Sequence, residues 1–94
     1  MHAVMRDYSG VGTKKLFDLL EKRKAEVENL IKPVKGFVSY SLVRTARGGF
    51  SLTVCQDKAG TDESIRVARD WIAKNKEARV APPKVSDGKV ILHF

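Results

Sequence analysis

The spacing of apolar positions changes along the chain, and each change marks an element. His2 to Tyr8 suits a short strand, closed by the turn formers Ser9, Gly10 and Gly12. Leu16, Phe17, Leu20, Val27, Leu30, Ile31 and Val34 then recur at intervals of three and four. This periodicity predicts a helix from about Thr13 to Lys32, with Thr13 as its N-cap and Pro33 and Gly36 as its stop. Arg23 and Lys24 interrupt the stripe, where their methylene stems would cover apolar surface while their charged heads stay wet. Phe37 to Arg44 and Phe50 to Gln56 are rich in aromatic and β-branched residues, and Ala46-Arg47-Gly48-Gly49 supplies a hairpin turn between them. Thr61-Asp62-Glu63 reads as the capped, acidic first turn of a second helix that runs to about Asn75. Ile65, Ala68 and Ile72 lie on one face of it, with Val67 and Trp71 as an adjacent pair. Pro82 and Pro83 exclude further helix, and Ser86-Asp87-Gly88 is expected to turn the chain into a last strand, Lys89 to Phe94.

The order β-α-β-β-α-β defines an α+β, ferredoxin-like domain spanning residues 1–94, a four-stranded antiparallel sheet with two helices on one face. Its other face has no element of this chain left to cover it. Alternation divides the strand residues into two sets. Val38, Tyr40, Leu42, Phe50, Leu52, Val54, Val90, Leu92 and Phe94 are expected beneath the helices. Phe37, Ser39, Ser41, Val43, Ser51, Thr53, Cys55, Ile91 and His93 are expected on the open face, where the hydroxyls and the thiol face water or an enclosed ligand.

Charge changes this picture little. The 94 residues carry 18 Lys+Arg and 11 Asp+Glu, a net charge of +7. A basic balance is the footprint of nucleic-acid binding, but here the cations are scattered, and Lys22-Arg23-Lys24 is bracketed by Glu21 and Glu26. Asp18 with Lys22 and Glu28 with Lys32 read instead as surface ion pairs at helical spacing. Arg47-Gly48-Gly49-Phe50-Ser51-Leu52-Thr53-Val54 is similar to the third-strand signature of the RNA-recognition motif, yet Gly49, Ser51 and Val54 stand in its aromatic slots. Nucleic acid is therefore not the expected partner. No apolar run approaches the about 20 residues of a membrane span, and Arg6 and Asp7 fall inside what would be a leader's apolar core. A cytoplasmic protein without a membrane partner is expected. The single cysteine and two distant histidines offer neither a disulfide nor a readable metal site.

With Leu16-Phe17-Asp18-Leu19-Leu20, Val34-Lys35-Gly36-Phe37-Val38-Ser39-Tyr40-Ser41-Leu42 and Ser51-Leu52-Thr53-Val54 in this order, the chain resembles the antibiotic-biosynthesis-monooxygenase-like proteins of the dimeric α+β barrel superfamily. The resemblance covers almost the whole chain, and Gly36, Phe37, Tyr40 and Leu42 carry its most specific part. It implies a homodimer whose sheets meet face to face, and a small-molecule pocket in each protomer between sheet and helices. It also implies departures. Cys55 stands where the family often has a Trp. The haem-degrading branch uses a His on the second helix and an Asn on the first strand, and neither is present. The resemblance thus implies a monooxygenase-like enzyme or binder of a small aromatic compound, working without metal or cofactor. The alternative is a non-catalytic dimeric module, either a ligand sensor or a nucleic-acid contact through the basic surface.

Candidate residues follow from type and strand parity. His93 as a base and Tyr40 as a donor form the expected catalytic pair, and Trp71, Cys55, Thr53 and Ser41 are the expected ligand contacts. Cys55 would be reactive only if a neighbouring cation lowered its pKa, and is otherwise a small buried apolar residue. Arg44 and Arg47 flank the hairpin and are candidates to hold a carboxylate. No phosphate loop, carboxylate pair or nucleophile elbow is present.

Overall fold

The computed structural model describes residues 1–94. Strand β1 (His2–Ser9) leads to helices α1 (Thr13–Lys22) and α2 (Lys24–Ile31), then to the hairpin of β2 (Phe37–Thr45) and β3 (Gly48–Cys55). Helix α3 (Lys58–Lys74) and a short 3-10 turn (Lys76–Ala78) precede β4 (Lys84–Lys89). The antiparallel sheet has the order β2-β3-β1-β4, with the helices packed on one face, the expected ferredoxin-like α+β arrangement.

The first helical stripe is two helices rather than one. Arg23 leaves the helical region at φ −106°, ψ 36°, and its Nη1 donates to Asn75 Oδ1 at 2.9 Å. Asn75 Nδ2 in turn donates to the Trp71 carbonyl at 2.7 Å, so the break is fastened to the end of α3. Gly12, at φ 90°, occupies the N-cap position assigned to Thr13, whose hydroxyl is buried inside the first turn without a partner. Helix α3 also starts earlier than expected, at Lys58, because Asp57 caps it by accepting from the Gly60 amide at 3.2 Å. Small residues Gly60, Thr61, Ser64 and Ala68 face the sheet and let α3 approach it closely. A Cβ at Gly60 would collide with the Lys35 carbonyl and lie 2.8 Å from Cys55 Cβ.

Register corrects the assignment of faces. The hairpin turns on Ala46 and Arg47 alone, since Thr45 already pairs with Gly48. Gly49 lies beneath the Phe17 ring, where a Cβ would collide with the ring and with the Val43 carbonyl. With Gly49 facing the helices, Ser51, Thr53 and Cys55 follow on the same side, opposite Arg6, Val4 and His2 of β1. Phe50, Leu52 and Val54 therefore lie on the open face, the reverse of the expectation. In β2, a bulge between Phe37 and Ser39 puts Phe37 on the helix side together with Tyr40 and Leu42.

The last strand is also displaced. Lys84–Lys89 pairs with β1, and its six residues are exposed, as befits a polar edge strand. The apolar run that suggested a strand over 89–94 follows it. Only the Val90 amide extends the pairing, to the Met1 carbonyl at 3.0 Å. Ile91, Leu92 and Phe94 are exposed.

The core is built by Tyr8, Leu16, Phe17, Leu19, Leu20, Val27, Ile31, Ala68 and Ala78. Phe17 is its keystone, fully buried and edge-on to Tyr8 at 6.0 Å. Substituting Gly49→Ala should cost about 1–3 kcal/mol by overpacking against Phe17, measured by urea unfolding, and Phe17→Ala should cost about 3–5 kcal/mol.

Candidate functional site

The Arg23 break leaves α2 as a separate wall, and between it, α1 and the β2 edge runs a groove of about 770 Å³. Phe17, Leu20, Val27, Ile31, Phe37, Tyr40 and Leu42 give it an apolar lining, and Glu21, Lys24, Glu28, Lys32 and Arg44 stand among its polar residues. The charges are mostly satisfied. Arg44 Nη2 meets Asp18 at 3.1 Å and Glu21 at 3.2 Å, tying β2 to α1, with its guanidinium 6.0 Å from the Phe17 ring. Lys32 meets Glu28 at 3.3 Å as expected. Asp18 pairs with Lys14 at 3.0 Å rather than with Lys22, and the hydrogen bond from Lys14 holds its carboxyl below the usual range.

Deeper in, a chamber of about 20 Å³ shares Leu20, Val27, Ile31, Tyr40 and Leu42 with the groove. Beyond them it is lined by Arg6, Tyr8, Leu30, Ser51, Ala68, Trp71 and Ile72. Here the inward-facing polar residues of β1, β2 and β3 converge. Arg6 is only 5% exposed, its Nε donates to Ser51 Oγ at 3.1 Å, and no carboxylate lies within ion-pair distance. The Tyr40 phenol lies beside Arg6 and Ser51. Burial raises its pKa, against the lowering influence of the Arg6 charge. Burial raises Tyr8 as well, again opposed by Arg6. Both phenols are therefore neutral hydrogen-bond donors over the ordinary pH range.

Of the six residues expected from sequence, the structure brings Tyr40 and Trp71 to this chamber and leaves four elsewhere. The Trp71 indole N–H is already engaged, donating to Glu26 Oε2 at 2.6 Å, so the ring offers a cavity only its apolar surface. His93 lies in the exposed segment after β4, because the strand that was to carry it ends at Lys89. Ser41 is exposed on the face of β2 turned away from the helices. Thr53 and Cys55 are sealed beneath α3 rather than open to a ligand, and neither lines the groove or the chamber. Burial, and secondarily the Asp57 charge, pushes the Cys55 thiol up, which keeps it protonated and unreactive. The other histidine, His2, is held by Asp87 at 2.7 Å, joining β1 to β4. No three His, Cys, Asp or Glu side chains are grouped to hold a metal ion.

Arg6 and Ser51 are the site residues that sequence reasoning missed. Arg6 was visible as a cation sharing the strand parity of Val4 and Tyr8, but only the Gly49 register shows that Ser51 faces it.

No protein-family model matches the chain, and no curated protein matches it. Solved structures do. The chain is similar to NE2512, a protein of unknown function from Nitrosomonas europaea, at 14% identity and a TM-score of 0.69, covering 99% of this chain and 90% of that one. It is similar to a monooxygenase from the gene ActVA-Orf6 of Streptomyces coelicolor, in complex with nanaomycin D, at 15% identity and a TM-score of 0.65, covering 99% and 88%. The heme-degrader MhuD from Mycobacterium tuberculosis, with two hemes in its active site, aligns at 17% identity and a TM-score of 0.66, covering 99% and 97%. The chain thus shares the α+β fold of these proteins, the fold that the sequence resemblance implied. No helix is long and apolar enough to cross a membrane.

Because the buried phenols have raised pKa values in the folded state, the neutral form is favoured there. Their contribution to stability is fully present below the unfolded value of about 10 and is lost as pH rises through the folded value. Unfolding free energy should therefore fall above about pH 10, and Tyr40→Phe should make that fall shallower. Urea titrations at stepped pH measure both.

Proposed function

We propose that this protein binds a small, mainly apolar aromatic compound in the groove between α1, α2 and β2, and that it does so as a homodimer. The observation that carries the reading is the convergence of Arg6, Tyr40, Ser51 and Trp71 around a small chamber that shares Leu20, Val27, Ile31, Tyr40 and Leu42 with an apolar groove. A few placed polar groups in an otherwise apolar cleft are the usual composition of a small-molecule site. The likeness in fold to a monooxygenase that holds nanaomycin D supports this.

Turnover, where it occurs, is monooxygenase-like oxidation in which the substrate supplies its own electrons to oxygen. The chain's share is to exclude water, orient the ring and donate a hydrogen bond from Tyr40 to an oxygen that gains charge. His93 has no part in this scheme. A specific observation favours the second reading, a binding module without turnover: no Asp, Glu or His lines the inner chamber, so no protein group there takes a proton. Heme fits poorly, since no histidine lines the groove or the chamber to meet its iron.

The homodimer reading rests on the open sheet face, which carries Met5, Val43, Phe50 and Leu52, and on the exposed Ile91, Leu92 and Phe94 that follow β4. A second copy placed face to face removes this apolar surface from water.

Titration with mono-, bi- and tricyclic aromatic compounds, nanaomycin D among them, tests the groove. Trp71, the single tryptophan, reports by its fluorescence, and oxygen consumption separates turnover from binding. A saturable response is expected, weakened about tenfold or more by Ala25→Phe at the groove wall, a loss of about 1.4 kcal/mol. No response to any compound overturns the reading. Light scattering should give twice the protomer mass, and Leu52→Asp should reduce it to that of one protomer by placing a carboxylate in the interface.

A further inference from the structure

We propose that Arg6 makes the inner chamber a carboxylate subsite, so that the ligand is an aromatic carboxylic acid whose ionised head meets the guanidinium while its ring lies in the groove. This rests on the groove being the ligand site and adds to it the class of compound.

The chamber is a set of donors without an anion. Arg6 has five N–H groups and accepts nothing, and the phenols of Tyr8 and Tyr40 and the hydroxyl of Ser51 stand around the same space. No acidic side chain lines it. Asp7, next in sequence to Arg6, is exposed on the opposite face of β1. A guanidinium removed from water without a countercharge is costly to the fold, and neutral hydroxyls cannot cancel the charge. A ligand anion can.

Shape points the same way. Ser51 takes the Nε edge of the guanidinium and the Tyr40 phenol lies against it as a second neutral partner, which leaves the planar fork without an anionic acceptor. Two parallel N–H groups match the two oxygens of a carboxylate. About 20 Å³ is room for little more than a water-sized group, so the chamber takes the carboxylate oxygens that meet the guanidinium and no ring, and the ring lies beyond the shared residues Leu20, Ile31 and Leu42 in the 770 Å³ groove. The groove's own acids do not repel an anion strongly, since Glu21 is bound by Arg44 and Glu28 by Lys32, and Lys24 adds a further positive charge.

Naphthoate and the neutral, nearly isosteric naphthamide distinguish charge recognition from apolar binding. Calorimetry and Trp71 fluorescence should show naphthoate binding about 30-fold or more tighter than naphthamide, the scale of a buried charge-assisted contact. Arg6→Met should erase the difference by weakening naphthoate alone, and Arg6→Lys should retain part of it. Ser51→Ala, a small change that leaves the guanidinium in place but frees its Nε edge, serves as a second variant and should weaken naphthoate severalfold with naphthamide unchanged. Equal affinity of the two compounds for the unaltered protein, or naphthoate affinity unchanged in Arg6→Met, overturns the carboxylate subsite while leaving the groove as a binding site. Binding of neither compound overturns both.

Discussion

The seating of the Phe17 ring on Gly49 is the contact from which the rest of the molecule takes its arrangement. A side chain at position 49 would displace the ring, so the strand must present its glycine to the helices. Because side chains alternate along a strand, that one position decides where every other β3 residue points. The hydroxyls of Ser51 and Thr53 go inward, and the bulky Phe50 and Leu52 go outward. The interior thereby acquires a polar stripe, and the exterior an apolar one.

This inversion explains both the cost and the use of the fold. Ser51 and Thr53 fill little space, so the volume beneath α1 and α2 is taken up by Arg6, Tyr8 and Tyr40, which reach in from neighbouring strands. Thr53 pays with a hydroxyl that has no partner. Ser51 gains one in Arg6. Close packing fails at the place where small polar residues meet large polar ones, and that place is the inner chamber. Arg44, anchored on Asp18 and Glu21, keeps the outer end of the same space fixed to α1.

Element order and helix periodicity were legible in the sequence because they depend on local patterns: the turn formers after β1, the three- and four-residue spacing of Leu16 to Ile31, the prolines at 82 and 83. Three features were not. The break at Arg23 depends on Asn75, far along the chain, offering its side chain to the guanidinium. The parity of β3 depends on a ring from α1. The position of β4 depends on pairing with β1, which accepts the polar Lys84–Lys89 as an edge and leaves the more strand-like 90–94 outside. Each is a long-range choice that no window of residues contains. The candidate site suffered most, since strand parity was its only guide to His93, Ser41, Thr53 and Cys55. Tyr40 was legible because the β2 bulge falls before it, which leaves the regular alternation from Tyr40 to Leu42 intact on the helix side.

Helix α2 has a position unlike that of the other elements. It is joined to α3 by the Arg23–Asn75 and Trp71–Glu26 bridges, and it gives the groove Lys24, Ala25, Val27, Glu28 and Ile31. The contact that sets the sheet register lies on α1. Selection can therefore rewrite the groove-facing residues of α2 without disturbing the seam that determines the topology, whereas Phe17 of α1 belongs to both the seam and the groove. A scaffold divided in this way is open to divergence in what it binds. Solved structures of the same fold, sharing 15–17% of their residues with this chain, hold ligands as unlike as nanaomycin D and heme.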